Sequence, residues 1–324
     1  MITKQIGPIT LHDYAPTPES FRDEVLRGLG QQPKSIPCKF FYDERGSRLF
    51  DEICDLEEYY LTRTETAILQ ASAGEMAACI GAGALLVELG SGSGTKTRLL
   101  LDKLEAPVAY VPVDIAREHL IASAALLCDA YASLEVLPVC ADYTRAMALP
   151  TPKRKVARLC FFFPGSTIGN MNPTEATSFL SHLRTLAGGP CAVLVGVDLK
   201  KDRAILEPAY NDKRGVTAAF NMNLFTRINR EIGGDFDPSR FRHRAFFNEA
   251  ESRVEMHLVS TCRHVAHVGP VAVAFDEGET ILTEYSHKFS LDHMRDIAES
   301  SGFKVQRVWT DPAGLFSVQF FQSV

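Results

Sequence analysis

The chain lacks several things that would settle its class at once. No run of about 18 consecutive apolar residues occurs, so hydropathy gives no membrane-spanning helix. Its first residues, MITKQIGPITLHDY, lack the charged-then-apolar layout of a secretory leader, and a soluble cytoplasmic protein is expected. No Cys-x-x-Cys pair occurs among the eight cysteines, and several sit in apolar runs such as RLCFFF, the pattern of reduced, buried thiols; neither a disulfide framework nor a zinc site is expected. A basic excess is missing too: 34 basic against 40 acidic residues give a net charge of −6, which argues against a general nucleic-acid binder. Repeats are absent and charge runs, such as LKKDR, are short. The single tryptophan, Trp309, lies in a β-like run and reads as packing. What remains is a chain of 324 residues with 46% hydrophobic content, enough for one large core or two modest ones, and a small-molecule partner is expected.

From about residue 64 to 198, short β-rich apolar runs alternate with amphipathic stretches. The strand candidates are ALLVELG, PVAYVPVD, SLEVLPVC, RLCFFFPG and PCAVLVGVD; KTRLLLDKL, AREHLIASAALLCDAYA and PTEATSFLSHLRTLAGG lie between them as helices. Continuous apolar strands separated by helices predict an α/β fold, a doubly wound parallel sheet covered on both faces. After residue 198 the alternation breaks. AAFNMNLFTRINREIGG has helical spacing, whereas SRVEMHLVSTCRHVAHV and ETILTEYSHKFS have period-two character. The ending, HMRDIAESSGF followed by KVQRVWTD and LFSVQFFQ, reads as a helix and two strands that close the edge of the first sheet. The expected partition is a nucleoside-binding domain of residues 63–198 plus 289–324, and an α+β substrate domain of residues 1–62 plus 199–288.

The stretch VELGSGSGTKT, residues 87–97, is crowded with glycine. It misses the P-loop pattern because Thr95 stands where glycine is required before Lys96. It misses the dinucleotide pattern because Gly94 arrives one residue early. A tight glycine turn with no pyrophosphate to cradle lets the backbone approach an uncharged nucleoside or an amino-acid moiety, as in S-adenosylmethionine. Asp114 ends the next strand run, 24 residues beyond Gly90, where a carboxylate can accept both ribose hydroxyls. Asp142, after the third run, is placed to accept an adenine amino group, with Tyr143 beside the ring. A ligand-free turn and an NAD site are the lesser alternatives.

Other stretches carry weaker signals. FFFPGSTIGNMNP follows the fourth strand and puts Asn170 where its amide can grip a substrate, while Asn172 is better placed to cap the helix from Pro173. Tyr59 and Tyr210 each read as core residues when taken alone. Glu284 and Ser286, two apart, share one face of a strand. His264 and His267 form H-x-x-H, but on a strand an odd separation points them to opposite faces, so no shared metal is expected.

Taken together, FYDERGSRLFDEICDLEEYYLTRTE, VELGSGSGTKT, FFPGSTIGN, the AYND turn and TEYSHKF resemble the histidine Nα-methyltransferases of ergothioneine biosynthesis, from about residue 15 to the C-terminus and in the same motif order. The resemblance implies a class I, Rossmann-like methyltransferase fold with a separate substrate domain. It implies S-adenosylmethionine as the methyl donor, released as S-adenosylhomocysteine, with no metal. It further implies trimethylation of L-histidine, through its mono- and dimethylated forms, to hercynine by a monomeric enzyme. By position, Tyr42, Gly90, Lys96, Asp114, Asp142 and Tyr143 correspond to cofactor contacts; in many relatives the last is phenylalanine. Asn170 and Tyr210 correspond to residues holding the substrate carboxylate, Tyr59 to the catalytic tyrosine facing the α-amine, and Glu284 and Ser286 to the imidazole contacts. Met256, Phe50, Gly165 and Thr167 match positions lining the same site. The competing readings are a relative acting on another amino acid or an indole amine, and a non-catalytic module that senses S-adenosylmethionine.

Overall fold

The computed structural model describes residues 2–6, 9–14, 18–92 and 94–324; Ser93 of the glycine stretch lies outside them. The chain divides into two compact units, Met1–Ala15 with Leu61–Lys200 and Lys288–Val324, and Pro16–Tyr60 with Lys201–His287.

The first unit is organised by strands that are apolar along their whole length. All residues of Ala84–Leu89 and of Ala192–Asp198 are buried, which only a sheet covered on both faces allows. Among the described residues the sheet order is Ile2–Ile6, Ile9–Asp13, Val139–Cys140, Ala109–Asp114, Ala84–Leu89, Arg158–Phe163, Ala192–Asp198, Phe316–Ser323 and Phe303–Thr310. The strands from Val139–Cys140 to Ala192–Asp198 run parallel. The C-terminal pair is antiparallel, Phe316–Ser323 lying against Ala192–Asp198, and it closes that edge as expected. Chain order reverses at Ala84–Leu89, so the loops after it and after its neighbour Arg158–Phe163 flank the switch point, where open α/β sheets bind ligands. The helix Pro173–Ala187 starts on a capping box in which the Asn172 side chain accepts from the Glu175 amide at 2.9 Å, the role the sequence gives it.

Three features differ from the sequence reading. SLEVLPVC forms two short strands, Glu135–Val136 and Val139–Cys140, because Pro138 supplies no amide to continue the ladder. The N-terminal segment, assigned by sequence to the substrate domain, pairs as a hairpin and adds Ile9–Asp13 in parallel to Val139–Cys140 of the first unit. Leu11 is fully buried there, packed with Leu120 and Cys140, and that apolar contact decides which sheet the segment joins. Residues 60–80, not singled out by sequence, form one long helix, Tyr60–Ile80.

The second unit has an antiparallel core. Phe241–Asn248, Arg253–Ser260 and Thr280–His287 pair antiparallel, and Lys34–Ser35 adds in parallel. The helix Val216–Ile232 ends on Gly233, whose φ of 68° is the left-handed cap conformation, and the helix Glu44–Cys54 packs on it. SRVEMHLVSTCRHVAHV splits between two sheets, since His264–Val268 pairs with Val271–Phe275 in a separate two-stranded ribbon.

Candidate functional site

The candidate residues of the first unit are set mainly by backbone. Gly90 follows the buried strand with φ +75°, and its N–H donates to the Val113 carbonyl at 2.8 Å. The Gly92 N–H donates to Asp114 Oδ2 at 3.1 Å, and the Ala116 N–H to Oδ1 at 2.9 Å. Asp114 is thus held by amides on both oxygens; burial pushes its carboxyl above the ordinary range, and those amides oppose the shift. Gly94, φ +69°, opens the helix Thr95–Leu101. A Cβ at Gly92 would meet nothing within 4 Å, and one at Gly90 would meet a Tyr143 ring carbon at 3.9 Å. The Ser91 hydroxyl is buried with no partner among the described residues. Open space at Gly92, a buried hydroxyl without a partner among the described residues and an oriented carboxylate suit a nucleoside carrying an amino-acid tail.

Around this turn the other expected residues of the first unit take defined places. The Tyr143 ring is wedged edge-on against Phe163 and tilted against Phe179, with centroids 5.6 and 5.8 Å away. Asp142 accepts from the Thr144 amide at 3.0 Å and lies 3.4 Å from the Arg145 guanidinium, which fixes the turn that carries Tyr143. Asn170 ends the 3-10 turn Thr167–Asn170, after the left-handed pair Gly165 and Ser166. Lys96 donates to Glu65 Oε2 at 2.5 Å.

In the second unit the expected residues are side chains on strands and an aromatic cluster. The register sets Met256 opposite Glu284 and Val254 opposite Ser286, so Met256, Glu284 and Ser286 share one sheet face. The Tyr210 hydroxyl bonds to Ser286 Oγ at 3.0 Å. The Tyr59 ring lies 6.3 Å from Tyr210 and 6.4 Å from Phe50, and Phe50 lies 5.5 Å from Tyr42, which stands in this unit rather than with the other expected cofactor residues. Burial pushes the Tyr59 hydroxyl well above its ordinary pKa, with Tyr210, Cys54, Tyr42 and Glu284 adding to the rise, so the phenol stays neutral. Asp43, next to Tyr42, caps the helix Glu44–Cys54 and binds Asn223 at 2.8 Å and Arg230 at 2.7 Å, which pins the FYD segment.

Sequence reasoning missed several residues. Glu65 is fully buried and takes both Lys96 and the Gly165 amide. Glu88, inside the glycine motif, accepts from the Thr97 and Tyr110 hydroxyls, and burial lifts it to about 7. His243 bonds through Nε2 to the Tyr210 carbonyl and through Nδ1 to Asn221, both at 2.9 Å, anchoring the turn that carries Tyr210. Phe220 lies within 5.9 Å of both Tyr42 and Phe50. A glutamate preceding a glycine turn was a signal available for Glu88; the others had none. His264 and His267 go separate ways, His264 stacking on Phe275 at 5.2 Å and His267 binding Asp235 at 2.9 Å.

The order of the seven strands from Val139–Cys140 to Phe303–Thr310, with Phe316–Ser323 antiparallel to Ala192–Asp198, and a glycine turn beside an amide-held aspartate define a class I S-adenosylmethionine-dependent methyltransferase. The chain belongs to the SAM-dependent histidine-specific methyltransferases, whose family model matches residues 21–323. It is 42% identical over 304 residues to the histidine N-alpha-methyltransferase of Mycobacterium tuberculosis, covering 92% of this chain and 94% of that protein. The corresponding protein of Mycolicibacterium smegmatis is 41% identical over 306 residues, covering 93% and 94%. Ergothioneine biosynthesis protein 1 of Neurospora crassa is 32% identical over 291 residues, covering 86% of this chain and 32% of that longer protein.

Proposed function

We propose that this enzyme transfers three methyl groups to the α-amine of L-histidine, giving hercynine for ergothioneine biosynthesis, and that it works as a cytoplasmic monomer. The names of the relatives support the substrate. The observation that carries the reading is the sheet face where Glu284 and Ser286 stand together, with Tyr210 bonded to Ser286.

S-adenosylmethionine, when bound, supplies an electrophilic methyl group on a sulfonium. In this reading the turn at Gly90 and Gly92 lets the nucleoside approach closely, Asp114, held by the Gly92 and Ala116 amides, accepts its ribose hydroxyls, and Tyr143 packs against the base. Asn170 and, once its O–H turns from Ser286 Oγ, Tyr210 are neutral donors to the substrate carboxylate, while Glu284 accepts the imidazole N–H and Ser286 serves the other ring nitrogen. An α-amine with a pKa near about 8 loses its proton without a strong buried base, so aim contributes most of the rate. Tyr59, kept neutral by burial, accepts an N–H of the unmethylated and monomethylated amine and orients its lone pair. Its ring offers the growing cation an attraction of roughly 0.5–2 kcal/mol. A site built to hydrogen-bond the imidazole rejects side chains without that partner more strongly than an apolar slot would.

The test is one incubation with S-adenosylmethionine and an equimolar mixture of the common amino acids, read by mass spectrometry. Histidine alone gaining three methyl groups is the expected result. Methylation of a different amino acid, or no product despite cofactor binding, overturns the reading in favour of a relative with another substrate or of a sensor.

A further inference from the structure

Glu65 is a fully buried carboxylate on the helix Tyr60–Ile80, and neither the fold nor the chemistry above gives it a task. A buried charge is retained only when it is well paired. Glu65 is well paired: the Gly165 N–H reaches its two oxygens at 3.0 and 2.8 Å, and the Lys96 ammonium reaches Oε2 at 2.5 Å. The neighbouring strand makes room for it. A Cβ at Gly196 would lie 2.0 Å from Glu65 Oε1, so the fully buried strand Ala192–Asp198 keeps a glycine at that point despite glycine's cost in a strand interior.

We propose that Glu65 is a positioning residue for the cofactor: it locks the Lys96 ammonium and the loop at Gly165 into one arrangement that presents Lys96 to the α-carboxylate of the cofactor's methionine end. This rests on the cofactor reading of Lys96 given above. S-adenosylmethionine carries a sulfonium, an ammonium and a carboxylate, and only the carboxylate complements a lysine. An ammonium has three N–H donors; Glu65 takes one, and the Lys96 side chain keeps 17% exposure through which the others are reached. Without its partner, Lys96 would sweep a flexible four-carbon stem. Pairing also cancels its charge, so the site offers a directed donor without a net positive field opposing the sulfonium.

The experiment is calorimetric titration of the full chain with two probes, S-adenosylhomocysteine and 5′-methylthioadenosine, which keeps the nucleoside and thioether but lacks the amino-acid end. For Glu65→Gln the homocysteine probe should weaken roughly tenfold or more, as expected on losing a charge-assisted arrangement, while the short probe changes less than about twofold. Gly196→Ala, which displaces the carboxylate and crowds the Gly165 amide at 3.2 Å without changing the Glu65 or Lys96 residue, should give the same selective loss and serves as the second variant should Glu65→Gln fold poorly. Equal weakening of both probes makes Glu65 merely structural and overturns the proposal. Lys96→Met separates the two claims. If it shows the selective loss and Glu65→Gln does not, the Lys96 reading stands and the Glu65 proposal fails; if Lys96→Met shows no selectivity, the reading of Lys96 itself fails.

Discussion

The two units set their candidate residues in place with opposite materials. In the first, the groups expected to face a ligand are mostly backbone: left-handed glycines, amides that orient Asp114, and loops at the ends of parallel strands. In the second they are side chains: alternate residues of antiparallel strands and a cluster of aromatic rings. A part made of backbone tolerates exchange of neighbouring side chains but not an added Cβ. A part made of side chains tolerates backbone adjustment but not loss of a functional group.

The largest break of this contrast comes from Gly90→Val. A β-branched residue at φ +75° sits in the left-handed region, costing about 1–2 kcal/mol, and its Cβ lies 3.9 Å from a Tyr143 ring carbon. Affinity for S-adenosylhomocysteine should fall by roughly a hundredfold or more, about 2.7 kcal/mol. Calorimetry checks this, and retention of affinity to within about fivefold would refute a backbone-built first unit.

A second test sharpens the contrast through pH. Glu88 is buried beneath the glycine turn with its pKa raised to about 7 from 4.5. A carboxyl that holds its proton more tightly when folded stabilises the fold fully below the unfolded pKa, and that contribution is lost as pH rises through the folded value. The first unit should therefore weaken between about pH 4.5 and 7, by up to about 3 kcal/mol from this group. Glu88→Gln, which still accepts from Thr97 and Tyr110, should flatten that slope. Trp309 is the single tryptophan, lies in the first unit and donates to Glu75 at 3.0 Å, so its fluorescence in denaturant titrations at several pH values follows this unit. Parallel slopes for both proteins would show that Glu88 ionises normally.

The same difference in materials explains what could be read in advance. Strands buried on both faces and a glycine turn leave local marks, so the doubly wound sheet, the turn and Asp114 were legible from spacing alone. The C-terminal strand pair was legible for the same reason. The residues expected on the substrate side, such as Tyr59, Tyr210 and Glu284, carried no mark beyond a resemblance of motifs, because a tyrosine or a strand glutamate looks the same whether it faces a ligand or solvent. Glu65 was invisible: nothing in LTRTETAILQ marks one glutamate for burial, and the notch that receives it belongs to Gly196, on a strand distant in sequence. The N-terminal hairpin was misplaced because five-residue strands record which sheet they join only through tertiary contacts such as Leu11 with Cys140.

The smallest effect, and the most selective, is expected from the side-chain half. Glu284→Ala deletes one carboxylate from the strand Thr280–His287 while leaving its backbone pairing to Met256 in place. Hydrogen bonds to a charged group are worth about 1.5–3 kcal/mol, so histidine affinity, measured by calorimetry with S-adenosylhomocysteine saturating, should drop roughly ten- to a hundredfold. Affinity for S-adenosylhomocysteine itself should stay within about twofold, because the cofactor reading assigns it none of the imidazole contacts. Tyr59 provides an internal control. Burial is the first cause of its raised pKa and Glu284 a lesser one, so its phenol should still titrate above 10 in the variant, and a changed Tyr59 cannot then account for the lost affinity. Histidine binding within about threefold of the unaltered enzyme would remove this sheet face from substrate recognition, and with it the claim that the second unit works through individual side chains.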